Sequence, residues 1–197
     1  MSFIRTVHLV VSNIEQVPEW LDQGKAHVVL HEDIIPKGLL PTFNSTTIEM
    51  YLHKIPDLAE HFVYSNDDMM PMNSMAISSF FAEAGQPIYD IVNKTHAHTI
   101  FWQQCRNSYK LAARLARTAA GKGYFCPKHS MSPMLKSVFE EVHSHAGPEI
   151  FKSCTKFREP WNFTQYLFPD YALLTEKAVE GHWSFQYFRL DECQELF

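Results

Sequence analysis

The residues in this chain with the greatest capacity for chemistry are two adjacent carboxylates, Asp67 and Asp68, just after the short run Phe62-Val63-Tyr64. Phe, Val and Tyr favour extended backbone, so the run predicts a strand whose carboxyl end carries Ser65-Asn66-Asp67-Asp68. In open α/β sheets ligands bind outside the carboxyl ends of the strands. An acidic pair there suits a hard cation, Mg²⁺ or Mn²⁺, held by one or two carboxylates together with substrate phosphates. The same residues also read as an ordinary solvated turn, because Asn and Asp are common in turns.

Two cationic or titratable side chains stand far away in sequence. Arg158 has the fork of donors that grips phosphate and cannot lose its charge, or it pairs with Glu159 or Glu176 on the surface. His129 can give or take a proton near neutral pH, or it is a loop histidine capping a helix. Of the 11 histidines, His96/His98 and His143/His145 are spaced i, i+2, which diverges on a helix and disfavours a zinc site. The chain has no Gly-x-x-x-x-Gly-Lys and no Gly-x-Gly-x-x-Gly, which excludes P-loop and Rossmann dinucleotide sites and leaves no organic cofactor expected.

The elements that must position these groups are legible in outline. Thr6 to Ser12 is an almost unbroken β-rich run, expected as a strand buried on both faces, and His27 to His31 is a second strand. Asn44, Ser45 and Thr46 are competent N-caps, and Thr46 with Glu49 has capping-box spacing. Ile48, Tyr51, Leu52 and Ile55 then form one helical stripe, stopped by Pro56. Ile77 to Phe81 and Pro87 to Val92 suggest a hairpin. A helix is expected from His98, with Ile100, Cys105, Tyr109, Ala112 and Leu115 on one face and Gly121-Lys122-Gly123 as its end. Ser132-Pro133 looks like an N-cap and first turn for a helix carrying Met134, Val138, Phe139, Val142 and His143, broken at Gly147-Pro148. Trp183 to Leu190 alternates well enough for a last strand. Strands alternating with connections and helices argue for an α/β fold on a mostly parallel sheet. A single domain over 1–197 is expected, with a sheet-rich core over 1–95, a helical portion over 96–180 and a terminal strand over 181–197.

Leu40-Pro41-Thr42-Phe43-Asn44-Ser45, the following Ile48-Glu49, Leu52-His53, Ile55-Pro56 and Ala59-Glu60-His61-Phe62, and the strand-borne Tyr64-Ser65-Asn66-Asp67-Asp68 resemble the second block of the Stealth proteins. Gln16 to Leu21 and His31 to Asp33 fit the same block, although Asn13-Ile14-Glu15 stands where the pattern has a glycine. His129 to Pro133, Phe157-Arg158, Asn162 and Tyr171 to Thr175 resemble a later block. Stealth proteins are bacterial capsular polysaccharide phosphotransferases, related to the enzyme that places N-acetylglucosamine-1-phosphate on lysosomal mannose residues.

The resemblance implies a nucleotide-sugar-transferase-like sheet and transfer of a sugar-1-phosphate from a nucleotide-sugar to a saccharide hydroxyl. It implies catalytic roles for Asp68, His129 and Arg158, a metal on Asp67 and Asp68, and substrate contacts at Asn44, Ser45, Asn66 and Asn162. The Tyr-Thr-Trp-Val-Asp/Asn-Gly block that usually opens the family, and its short closing Asn-Asp block, have no counterpart here. The fold is therefore expected to be incomplete relative to the family, with an exposed β-edge, impaired transfer, and a second copy or a completing chain as partner. A metal-dependent glycosyltransferase and a non-catalytic saccharide- or partner-binding remnant are the competing functions.

Composition narrows the partners. A net charge of −5 argues against a nucleic-acid-binding surface. No apolar run reaches the length of a membrane span. Four widely spaced cysteines without a Cys-x-x-Cys suit reduced thiols. The expected location is the cytoplasm, with peripheral attachment at the inner face of the membrane in capsule synthesis.

Overall fold

The computed structural model describes residues 3–22, 24–67, 69, 74–121 and 123–182. Among them, chain order runs β1 (Val7–Val11), β2 (Ala26–Leu30), α1 (His31–Ile34), α2 (Ser45–Glu49), β3 (His61–Tyr64), β4 (Ile88–Tyr89), β5 (Ile91–Lys94), α3 (Ile100–Leu115), β6 (Tyr124–Pro127), β7 (Ser132–Leu135), α4 (Lys136–Ser153), α5 (Leu167–Leu174) and β8 (Val179–Glu180). The fold is mixed α/β. The strands pair as four short ladders among the described residues: β1–β2 and β4–β8 are parallel, while β3–β7 and β5–β6 are antiparallel. Pairing is thus mixed where a mostly parallel sheet was expected. The two antiparallel ladders join segments that sequence order alone does not mark as partners.

Local chemistry explains most elements. Thr99 caps α3 by accepting the Trp102 N–H, and α3 ends with Arg117 in the left-handed region (φ 56°), where the Thr118 N–H returns to the Ala113 carbonyl. The helix therefore stops well before Gly121. Cys105, Ser108, Leu111 and Ala112 form its buried stripe, whereas Ile100 is exposed. In α4 the helical path breaks at Ala146, one residue before Gly147-Pro148, as a proline lacking its N–H requires. Phe81 bridges Pro87, and Gly85 at φ 82° takes the turn between them. The hairpin there is short, with residues 77–79 forming a 3-10 turn in place of a strand.

Two expectations are corrected. Ser132-Pro133 does not open a helix: it lies in β7, with Pro133 opposite Val63 and its carbonyl accepting the Tyr89 hydroxyl. A proline is tolerated in so short a ladder because its missing N–H costs nothing at an edge. Nor is β1 buried on both faces; Val7 is half exposed and only Val11 is fully covered. The proposed Trp183–Leu190 strand falls outside the described residues.

The core lies where α3, α4 and α5 meet the residue 45–55 segment. Phe139 of α4 stacks on Phe168 of α5 with ring centroids 3.4 Å apart, and Met50, Leu52, Ile55, Leu111, Val142 and Ile150 close around them. Among the described residues Cys105, Cys126 and Cys154 are buried free thiols. Two titratable groups are buried as well. His53 packs 4.3 Å from the ring of His143, and neither of its ring nitrogens has a hydrogen-bond partner among the described residues. Burial, reinforced by the neighbouring His143, pushes His53 down to about 3. Asp170 of α5 is fully buried, with neither oxygen partnered among the described residues, and desolvation raises its pKa well above the usual range.

These groups set opposite pH dependences. His53 is neutral when folded and titrates near 6.5 when unfolded, so its contribution is intact above that pH and lost as pH falls below it. Asp170 is raised, so its contribution is intact in acid and lost as pH climbs. Urea unfolding at several pH values should show His53→Phe flattening the acid-side loss relative to the unsubstituted chain, by up to about 1.4 kcal/mol per pH unit. Asp170→Asn should gain stability relative to the unsubstituted chain as pH rises from 4 to 7. Parallel curves for either substitution would refute the assignment.

Candidate active site

The site begins with two buried asparagines. Asn44 is the N-cap of α2: its Oδ1 accepts the Thr46 N–H at 3.2 Å and the Thr46 hydroxyl at 2.8 Å. Its Nδ2 reaches across the chain to Asn162 Oδ1 at 2.9 Å and to the carbonyls of Thr155 and Phe157 at 3.3 Å each. Asn162 completes the link. Its Oδ1 also accepts the Glu159 N–H at 2.7 Å, and its Nδ2 donates to the Ser153 carbonyl and to Thr155 Oγ1 at 2.8 Å. Both side chains are turned inward, so they position the loops at 41–45 and 153–165 against each other.

What these loops present outward is Ser45 and Arg158. Arg158 donates to Ser45 Oγ at 2.6 Å and is otherwise exposed. Beneath them lies Glu49, buried, accepting the Tyr64 hydroxyl at 3.2 Å and the Gln165 N–H at 3.1 Å. Burial raises the Glu49 carboxyl; the two hydrogen bonds and the charge of Arg158 counter it only partly. Glu49 is therefore not the capping residue its spacing suggested. Its partners come from β3 and from the turn before α5, and no local pattern could have revealed them.

A second group forms at the end of β3. The β3–β7 register sets Tyr64 opposite Ser132, so the loop after Tyr64 faces the loop before Ser132. Across that gap Asn66 Nδ2 meets His129 Nε2 at 3.2 Å. An amide nitrogen only donates, so His129 carries its lone pair on Nε2 in this arrangement. The His129 loop is fixed by its neighbour Lys128, which donates to the buried Asp90 at 2.7 Å. Asp90 carried no signal in sequence. Asp67 is exposed just beyond Asn66, and Asp68 lies outside the described residues. Among the described residues no group of three or more metal-ligating side chains forms.

The structure thus joins Asn44, Ser45, Arg158 and Asn162 in one network and Asn66 with His129 in another. Tyr64 connects them: its hydroxyl touches Glu49 under Arg158, and its backbone leads in two residues to Asn66. A cleft of about 400 Å³ lined by His8, His27, Asp33 and Asp57 contains none of these residues.

The segment bearing β1 to β3 matches the family profile of Stealth protein CR2, conserved region 2, over residues 1–89. The chain belongs to the Stealth family. It is 43% identical over 191 residues to the capsular polysaccharide phosphotransferase cps1A of Actinobacillus pleuropneumoniae, covering 91% of this chain and 51% of that protein. To the capsular polysaccharide phosphotransferase fcs1 of Haemophilus influenzae it is 33% identical over 159 residues, 76% of this chain and 43% of that protein. The exopolysaccharide phosphotransferase CpsY of Mycobacterium leprae is 32% identical over 192 residues, 90% of this chain and 34% of its own length. The Stealth chain therefore spans about half, or less, of the length of these relatives. The cps1A and CpsY matches, each covering at least 90% of the chain, take in the Arg158 and Asn162 segment as well as the residue 44–68 segment.

Asn162→Ala should remove the Asn44–Asn162 link and leave the Glu159 N–H and the Thr155 hydroxyl without their Asn162 partner. We expect a loss of about 3 kcal/mol in urea unfolding, because buried polar groups left unsatisfied cost about 1–3 kcal/mol each. Asn162→Asp should cost a comparable amount, since it removes both Nδ2 donations. A loss below about 0.5 kcal/mol in either would remove the pair from its positioning role.

Proposed function

We propose that this Stealth chain carries the phosphate- and acceptor-handling part of a transferase that moves a sugar-1-phosphate from a nucleotide-sugar to a saccharide hydroxyl in capsular or exopolysaccharide synthesis. The observation that carries this reading is Arg158 held on Ser45, its charge acting on Glu49, which bonds Tyr64 of the strand whose end carries Asn66 and, across the gap, His129. The printed names of its relatives, capsular and exopolysaccharide phosphotransferases, support the reaction class. The parallel β1–β2 pair, with the site residues beyond strand ends, supports a nucleotide-sugar-transferase-like sheet as the larger framework.

In this reaction the acceptor hydroxyl oxygen bonds to the phosphorus that carries the sugar. The bridging bond to the second phosphate breaks, and a nucleoside monophosphate leaves. Arg158 grips the non-bridging oxygens with two donors and offsets the charge that builds on them. Ser45 fixes the guanidinium in place before substrate arrives. His129 Nε2 takes the hydroxyl proton once the Asn66 amide turns to the acceptor. Asp67 is an exposed carboxylate of the oxygen type that hard cations prefer, and with Asp68 it would hold Mg²⁺ or Mn²⁺. Such an ion supplies charge neutralisation to the diphosphate. No helix among the described residues is long and apolar enough to cross a membrane, and we place the reaction in the cytoplasm at the inner membrane face.

The test is product analysis. The 197-residue chain, alone and with a Stealth opening block supplied as a second chain, is given a panel of nucleotide-sugars, Mg²⁺ and a saccharide acceptor. The expected products are a phosphodiester-linked sugar and a nucleoside monophosphate; release of the diphosphate with a glycosidic product would mean a glycosyltransferase instead. Arg158→Lys should lower kcat about 100-fold with a smaller change in KM, since a point charge replaces a two-pronged donor. Asp67→Asn should weaken Mn²⁺ uptake measured by calorimetry in the presence of nucleotide-sugar. Unchanged uptake would remove Asp67 from the metal site.

A further inference from the structure

Beside Arg158 and Ser45 the protein exposes aromatic surface that neither the core nor the proposed phosphate site uses. Phe43 is 71% exposed and Phe157 60% exposed, and their rings lie nearly parallel, 15° apart in plane with centroids 5.7 Å apart. Lys156 holds its ammonium 5.6 Å from the Phe43 ring and 5.8 Å from the Phe157 ring. Phe43 stands two residues before Ser45, and Phe157 directly precedes Arg158. The aromatic pair and the cationic clamp are therefore carried by the same two loops.

The backbone under these rings is unusually well fixed for an exposed surface. The Phe43 N–H donates to the Lys156 carbonyl at 2.9 Å. The Phe157 carbonyl accepts both the buried Asn44 amide at 3.3 Å and Thr155 Oγ1 at 2.7 Å. Thr42 Oγ1 also reaches the Thr155 carbonyl, at 3.3 Å. The rings thus sit on rigid backbone and lose little freedom when a partner lies against them, which favours binding.

We propose that Phe43, Phe157 and Lys156 form an acceptor subsite for a phosphodiester-linked saccharide, the chain's sugar ring lying on the aromatic pair and its phosphate meeting Lys156. The assignment to a saccharide rests on the phosphotransfer reading above, because that reaction makes phosphodiester-linked sugars. The chemistry of the surface agrees with it. The negative face of an aromatic ring attracts the polarised C–H face of a pyranose. A cation over both rings complements a phosphate one sugar away, which a neutral glycan would not require. With the next phosphate at Arg158, the last sugar's hydroxyl is directed toward Ser45 and the end of β3. A growing polymer would so be held by the unit already added.

Binding is measured by calorimetry on the 197-residue chain without turnover, using three probes: a hexamer of mannose 1-phosphate joined by phosphodiesters, neutral mannohexaose, and an inorganic polyphosphate of equal charge. The phosphodiester hexamer should bind tightest. Phe43→Ala and Phe157→Ala should each weaken it by about 10-fold while leaving polyphosphate binding unchanged, the size expected for loss of one aromatic contact. Phe157→Tyr, which keeps the ring, should retain affinity, so a misfolded Ala variant cannot mimic the result. Lys156→Gln should weaken the charged hexamer and reduce its salt dependence, with mannohexaose unaffected. Equal affinity for the hexamer and polyphosphate, or unchanged hexamer affinity in Phe43→Ala/Phe157→Ala, would overturn the subsite. So would a change in oligomeric state without a change in binding, since another copy would then be the occupant. None of these depends on transfer, so a chain inactive in the product assay can still pass, and an active one can still fail.

Discussion

The Asn44–Asn162 amide pair is the interaction on which the rest of the site depends. Two neutral side chains with no exposed polar atoms to spare bind two loops that are 118 residues apart in sequence. An amide is well suited to this because it donates and accepts at once without carrying a charge that burial would penalise. Asn44 caps α2 with its oxygen while its nitrogen reaches the opposite loop, and Asn162 accepts both that nitrogen and the Glu159 N–H on its one oxygen. Ser45 and Arg158 are then neighbours as a matter of backbone placement. Their own contact adds a hydrogen bond to an arrangement already made, which leaves the guanidinium free to engage an anion without releasing the loops.

Around that link the site is graded in polarity. Arg158 and Asp67 stand at the surface, Asn66 and His129 are half-buried, and Glu49 is fully covered. Burial raises the pKa of the Glu49 carboxyl, and the charge of the exposed Arg158 guanidinium, with the Gln165 and Tyr64 hydrogen bonds, opposes that shift. Tyr64 is the hinge of the arrangement in a literal sense, since one residue supplies the hydroxyl that holds Glu49 and the strand end that delivers Asn66. The core supports all of this from below through the stacked Phe139 and Phe168, which fix α4 and α5 and hence the loop between them.

How much was legible in sequence depended on whether the determining contacts were local. The β3 strand was visible because its residues favour extended backbone wherever they occur, and the Ala146 break because proline acts on its own turn. Ser132-Pro133 was misjudged because it has the local look of a helix start, while the partner that makes it a strand lies at His61 to Tyr64. Glu49 was misjudged for the same reason: capping-box spacing is a short-range signal, and its actual partners Tyr64 and Gln165 are long-range. Asn44, Ser45, Asn162 and Arg158 were gathered as candidates by family resemblance, and only the fold reveals that the asparagines serve the other two. Asp90, which steadies Lys128 next to His129, had no pattern to betray it.

The long reach of the asparagine link bears on how the molecule is made. Contacts between distant segments close slowly, because the entropy of joining a long loop must be met before the contact returns anything. During synthesis α2 and β3 emerge early, but the Asn44 amide has no inward partner until residues 153–162 follow. Until then Glu49 lacks the Gln165 backbone as well. Before residues 153–165 are made, the Asn44 amide and the Glu49 carboxyl therefore stay open to water, without their long-range partners. Mistakes there would be made before the chain is complete, a stage at which an unpaired strand edge such as β3, not yet covered by β7, is most exposed to the wrong neighbour.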